Sequence, residues 1–220
     1  MRYAIFDLDG TLVESMIYWR GFEKAFLLEN GIKEENIKKL SKNDWIGSDW
    51  VEALCDFFNK EYGFSLTPEK FHQWGIDYMM RKYAEVIGFK PGAQELLDRF
   101  LQQGVKMCVC SSTDRSIMEP VLKKYDLDRY FEFTVHCRQF GVEKNDPEIF
   151  RYCMNRLGAT KPEEVAVFED ALYSASTAKS AGFYVVGMYD VNEKRTEQLE
   201  EIADQYVKDY NTLNFDILPL

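Results

Sequence analysis

Short apolar runs alternate with longer stretches of helical spacing along most of this chain, and one region breaks the alternation. Tyr3-Ala4-Ile5-Phe6 is an apolar run that ends on a carboxylate, Asp7. Runs of the same kind recur at Val105–Cys110, Phe131–Val135, Glu164–Phe168 and Phe183–Met188. They are too short for helices and rich in β-branched and aromatic residues, the pattern of strands buried on both faces. Between them, Pro91-Gly92-Ala93 opens a helix carrying Leu96, Leu97 and Phe100 that stops near Gly104. Further helices are predicted over Asp114–Tyr125, Asp146–Leu157, Ala171–Ala181 and Thr196–Ile202. This order predicts an α/β fold with a parallel sheet covered by helices. The tail from Tyr206 to Leu220 is predicted to pack on that core as a short strand and turn.

From about Glu14 to Ile87 the strand-like runs disappear. Phe22, Ala25, Phe26 and Leu28 form one apolar helical face, and Trp50, Leu54, Phe57 and Phe58 form another before Gly63. Thr67-Pro68 reads as an N-cap followed by proline at the first helical position, opening a helix through Phe71, Trp74 and Tyr78. The expectation is a bundle of about four helices inserted into the α/β core. Residues 1–14 and 88–220 then form the core, and residues 15–87 the insertion.

Composition narrows the function. A chain of 220 residues can bury a large core and carry one insertion. Its net charge of -10 argues against nucleic acid and anionic membranes as partners. The five cysteines, at 55, 108, 110, 137 and 153, show no metal-ligand spacing and fit a reducing cytoplasm. Cys108 and Cys110 alternate on a buried strand and read as small core hydrophobes. No long apolar run or leader-like pattern predicts membrane spanning or secretion. Only two histidines are present, so zinc chemistry and a histidine-dependent serine mechanism have little support.

The chemistry gathers at strand ends. In Asp7-Leu8-Asp9-Gly10-Thr11 the chain turns after the strand, so Asp7 and Asp9 can face one cavity. Two such carboxylates would repel, and a hard divalent ion such as Mg²⁺ would relieve them with room for phosphate oxygens. The alternative is an acidic turn, since Asp-Gly is a common turn pair. Ser111-Ser112-Thr113 follows the second strand, as phosphate seat or as helix cap. Lys144 precedes Asp146-Pro147, as a fixed charge or a solvated lysine beside Glu143. Glu169-Asp170 ends another strand, as metal ligands or as acids favoured by a helix dipole.

These four segments, in this order, resemble the four motifs of the haloacid-dehalogenase-like hydrolases. The resemblance spans nearly the whole chain and is closest to the helical-cap phosphatases and phosphomutases, the group that includes beta-phosphoglucomutase. It implies a Rossmann-like core, an inserted helical cap that closes over substrate, and a Mg²⁺-dependent phosphatase acting on a small phosphorylated metabolite such as a sugar or nucleotide phosphate. It assigns Asp7 as nucleophile forming an aspartyl phosphate, Asp9 as general acid and base whose backbone oxygen also meets the metal, Ser111 and Lys144 as phosphoryl-binding residues, and Asp170 with Glu169 as metal-site acids. It is consistent with a monomer, with a dimer as the alternative. A binding protein that merely kept the fold would need no intact nucleophile. Three positions depart from the family: Asn145 stands where proline usually follows the lysine, Ser174 stands at a glycine position, and Trp19 matches the histidine of the sugar phosphomutases. An indole has one donor and no acceptor, which favours hydrolysis over a phosphomutase of the beta-phosphoglucomutase type. Arg20, Lys42 and the segment Ser48-Asp49-Trp50 after Gly47 are candidate specificity residues of the cap, whose aromatics Tyr18, Trp19, Trp45, Trp50, Trp74 and Tyr78 are expected mainly in its core.

Overall fold

The computed structural model describes residues 3–38 and 50–219. It divides the chain into two compact units, Met1–Met16 with Val86–Leu220, and Ile17–Glu85. In chain order the elements are β1 (Tyr3–Phe6), α1 (Met16–Arg20), α2 (Phe22–Glu29), α3 (Trp50–Tyr62), α4 (Pro68–Glu85), α5 (Ala93–Gln102), β2 (Lys106–Ser111), α6 (Arg115–Lys124), β3 (Phe131–His136), α7 (Cys137–Phe140), α8 (Glu148–Leu157), β4 (Val165–Glu169), α9 (Leu172–Ser180), β5 (Tyr184–Met188), α10 (Thr196–Ile202) and β6 (Gln205–Val207).

The six strands form one sheet in the order β3-β2-β1-β4-β5-β6. Every neighbouring pair is parallel. The runs are continuously apolar because the central strands are covered on both faces: Ala4, Ile5, Phe6, Val165, Ala166, Val167 and Phe168 are all buried. On one face Ile5, Cys108 and Val167 pack with Phe150 of α8 and Phe183. On the other, Phe6 stacks on Phe168 with ring centroids 4.3 Å apart. The chain runs outward from β1 to β2 and β3, then returns to the far side of β1 as β4. That reversal leaves a crevice outside the carboxyl ends of β1 and β4, where sheets of this kind hold ligands.

The helices of this unit differ from expectation mainly at their ends. Asp114 lies outside α6 as its cap, its Oδ1 accepting from the Ser116 amide at 2.8 Å. Helix α8 starts at Glu148, two residues after Asp146. Helix α7 has no signature in the sequence, because four residues are too few to show a helical period.

In the second unit, Phe26, Leu27, Leu54, Cys55, Phe58 and Phe71 form the buried core, with Phe22 and Trp74 packed against it. Thr67 caps α4 as expected, its Oγ1 accepting from the Lys70 amide at 3.3 Å. Gly75 is required by packing, since a Cβ there would lie 2.2 Å from Cζ of Phe22. The expected face of α2 needs one correction: Leu28 is exposed and Leu27 is buried. Leu28 sits two residues beyond Phe26, about 200° around the helix, so both cannot face one core. Tyr78 is buried, and Trp74 donates its indole N–H to Glu29 Oε2 at 3.0 Å. Lys42, Trp45 and Gly47 to Asp49 lie outside the described residues, as does the side chain of Trp50. No described helix is long and apolar enough to cross a membrane.

Candidate active site

The site is built at the carboxyl ends of β1, β2 and β4. The Asp7 amide donates to the Phe168 carbonyl at 3.0 Å, so Asp7 is the last residue held against β4. The chain then turns tightly: Leu12 donates to the Leu8 carbonyl at 2.9 Å and Gly10 to the Val13 carbonyl at 2.9 Å. Gly10 adopts φ +83°, the left-handed region that glycine enters without penalty. Buried Thr11 donates its hydroxyl to Asp170 Oδ1 at 3.3 Å, and its carbonyl accepts from the Tyr210 hydroxyl at 3.0 Å. The tail thus braces the loop that follows β1.

Asp7, Glu169 and Asp170 are buried and present carboxylate oxygens that all lie within 4.8 Å of one another. Lys144, also buried, donates to Asp7 and lies 2.6 Å from Glu169 Oε1. One ammonium therefore serves a cluster of three carboxylates. Desolvation pushes the Asp7 carboxyl up to about 7; Lys144 opposes the shift, and Glu169 and Asp9 add to it. Asp170 is raised well above the usual carboxylate range by burial, then by Asp7, Glu169 and Asp190. Burial opposes the charge on Lys144, but Asp7 and Glu169 outweigh it and hold its pKa above the ordinary lysine value. A compact set of hard oxygen donors with excess negative charge fits a small divalent cation such as Mg²⁺, which would offset that excess.

Asp9 plays a different part. Its carboxylate lies outside the three-acid cluster. Oδ1 accepts from Ser15 Oγ at 2.5 Å, and Oδ2 accepts from Thr113 Oγ1. Its side chain is thus tied to hydroxyls from the β1 loop and the β2 loop, consistent with a proton-transfer group rather than a carboxylate ligand. Ser111 is buried at the end of β2, and its Oγ accepts from the Thr113 amide at 3.1 Å.

The structure gathers Asp7, Lys144, Glu169 and Asp170 in direct contact or cluster range and places Asp9 and Ser111 on the adjoining loops. Three supporting residues escape a reading of the sequence as partners of these acids. Ser174 donates to Glu169 Oε1 at 2.6 Å. Its position, where a related chain would have glycine, is the available signal. Thr113 and Ser15, which hold Asp9, have only their place in polar loops to mark them. Lys90, buried beside Asp190 at 3.3 Å and Glu14 at 3.2 Å, gives no signal at all.

Known proteins resemble this chain in sequence and fold. The family described as haloacid dehalogenase-like hydrolase matches residues 1–182. A phosphorylated carbohydrates phosphatase of Thermotoga maritima is 34% identical over 183 residues, covering 83% of this chain and 82% of that protein. A phosphoglycolate phosphatase of Pseudomonas syringae pv. tomato is 27% identical over 198 residues, covering 88% and 72% respectively. The solved structure of a candidate beta-phosphoglucomutase from Thermotoga maritima matches with a TM-score of 0.71 at 25% identity, over 94% of each chain.

Proposed function

The chain belongs to the haloacid dehalogenase-like hydrolases and is a phosphoric monoester hydrolase; we propose that it hydrolyses a small sugar or nucleotide phosphate in two steps through a phosphoryl group carried on Asp7. The observation that carries this reading is the contact of Lys144 with both Asp7 and Glu169. A lysine fixed by two buried carboxylates supplies positive charge where phosphoryl transfer concentrates negative charge, and it does so without reorganising.

Asp7 attacks phosphorus in line, and the P–O bond to the leaving group breaks. Asp9 gives a proton to the leaving oxygen and afterwards takes one from the water that releases phosphate. Ser111 and the backbone amides of the loop that follows β2 seat the phosphoryl oxygens. When bound, Mg²⁺ would neutralise phosphoryl and carboxylate oxygens, and Asp7, Asp170 and Glu169, with the Asp9 backbone, are the groups that would hold it. Ser174 and the Ala171 amide orient Glu169 toward Lys144.

Trp19 favours hydrolysis over a mutase. Its indole N–H is buried with no hydrogen-bond partner among the described residues, and it offers no acceptor for a proton. The acidic net charge and the five buried free cysteines support a small-metabolite enzyme of a reducing cytoplasm. The proposed working state is a monomer.

A phosphate-release screen across phosphorylated metabolites, with Mg²⁺ and then with chelator, tests the reading. Release that requires Mg²⁺ and is lost in Asp7→Asn is expected. Release that persists in Asp7→Asn would refute the role of Asp7, and isomerisation of a sugar phosphate faster than phosphate release would establish a mutase.

A further inference from the structure

Three residues beside the buried cluster have side chains with no part in the steps above. Ser112 follows β2, Glu143 precedes Lys144, and Tyr173 lies in the first turn of α9, three residues after Asp170. Ser112 Oγ is 3.5 Å from Glu143 Oε2. Burial is the main influence on the Tyr173 phenol, and the charges of Glu169, Lys144 and Asp7 also reach it. The loop after β2 and the loop before α8 therefore meet at Ser112, next to the phosphoryl-binding groups, and Tyr173 stands in the first turn of α9 beside the same cluster. Tyr173 remains 45% exposed although it is large and aromatic. Glu143 is exposed, and no described lysine or arginine pairs with it.

We propose that Ser112, Glu143 and Tyr173 form a rim that reads the leaving group, selecting polyhydroxylated phosphate esters and disfavouring esters that carry a second anionic group. This rests on the phosphatase reading above. An ionised carboxylate only accepts hydrogen bonds, so Glu143 is matched to hydroxyl donors. An exposed aromatic ring offers an apolar surface to the C–H side of a polyol while its hydroxyl end stays polar. The negative charge of Glu143 repels a carboxylate on the leaving group, which adds selection by exclusion to selection by fit.

The test compares kcat/KM for glucose 6-phosphate, ribose 5-phosphate and 2-phosphoglycolate in the wild type, Glu143→Gln and Tyr173→Ala. The wild type is expected to prefer the sugar phosphates. Glu143→Gln should lower the ratio of sugar phosphate to phosphoglycolate by about tenfold or more, the scale of one hydrogen bond to a charged group. Tyr173→Ala should lower the same ratio through KM. Both side chains are exposed, and unchanged thermal unfolding shows that the variants fold. A wild type that prefers phosphoglycolate, or a ratio that Glu143→Gln leaves unaltered, would overturn the rim assignment while phosphatase activity stands. Failure of the wild type to hydrolyse any phosphomonoester would overturn the phosphatase reading, and the rim with it.

Discussion

A Cβ placed on Gly10 would lie 2.3 Å from Oδ2 of Asp170. The β1 loop thus passes directly against a cluster acid, and the absence of a side chain at position 10 sets how close the two can come. Gly10→Ala combines that overlap with a φ of +83° that a Cβ disfavours. Asp170 must shift, and with it the oxygen cluster. The expected result is a loss of about 1–3 kcal/mol of stability and at least roughly a hundredfold fall in kcat/KM. Denaturant unfolding and steady-state kinetics on one preparation check both.

Thr113 acts on the proton rather than on phosphorus. Its hydroxyl donates to Asp9, so Thr113→Val leaves one Asp9 oxygen without that donor. Proton transfer to the leaving oxygen matters most for a basic alkoxide and least for a phenolate. The variant should lose roughly tenfold in kcat on an alkyl phosphate and much less on p-nitrophenyl phosphate. An equal loss on both would place the defect elsewhere.

Asp170→Asn separates stability from activity. Burial and its acidic neighbours raise the Asp170 carboxyl in the absence of metal, so the neutral amide removes an unfavourable charge. Metal-free Asp170→Asn should melt at or above the wild type at about pH 8. The rise in melting temperature produced by Mg²⁺, worth about 2.7 kcal/mol at a hundredfold excess over Kd for the wild type, should shrink sharply. A metal-free variant that melts well below the wild type would contradict this.

The framework of this site was legible because strand ends are easy to find. Asp7, Ser111 and Glu169 each close an apolar run, and the strands that carry them are adjacent in the sheet. Lys144 was legible only by resemblance, since a lysine beside a glutamate looks solvated until the fold buries it. Ser15, Thr113 and Ser174 were not legible as partners: each meets its carboxylate through a hydrogen bond whose geometry depends on how loops fold back. Leu28 shows the same limit on a smaller scale, because an eight-residue helix carries too few positions to fix its buried face.

His136, at the end of β3, supplies a pH dependence. Burial holds its pKa below the ordinary value of 6.5, with Arg115 acting in the same direction and a hydrogen bond involving the Thr113 backbone opposing. The folded state then binds fewer protons than the unfolded chain, so stability rises with pH up to about 6.5 and falls on acidification below it. His136→Asn should flatten the melting-temperature profile on the acid side of about pH 6.5. An unchanged slope would assign the acid sensitivity to other groups.

In the proposed reaction the phosphoryl group passes through Asp7, in two displacements rather than one. The stereochemical course at phosphorus tests this most directly, using a phosphorothioate monoester made chiral with two oxygen isotopes and hydrolysed in water of the third, so that the thiophosphate released is itself chiral. Each in-line displacement inverts the phosphorus, so transfer to Asp7 followed by transfer to water predicts net retention. Net inversion would mean that water attacks the substrate in a single step, and would contradict passage through Asp7.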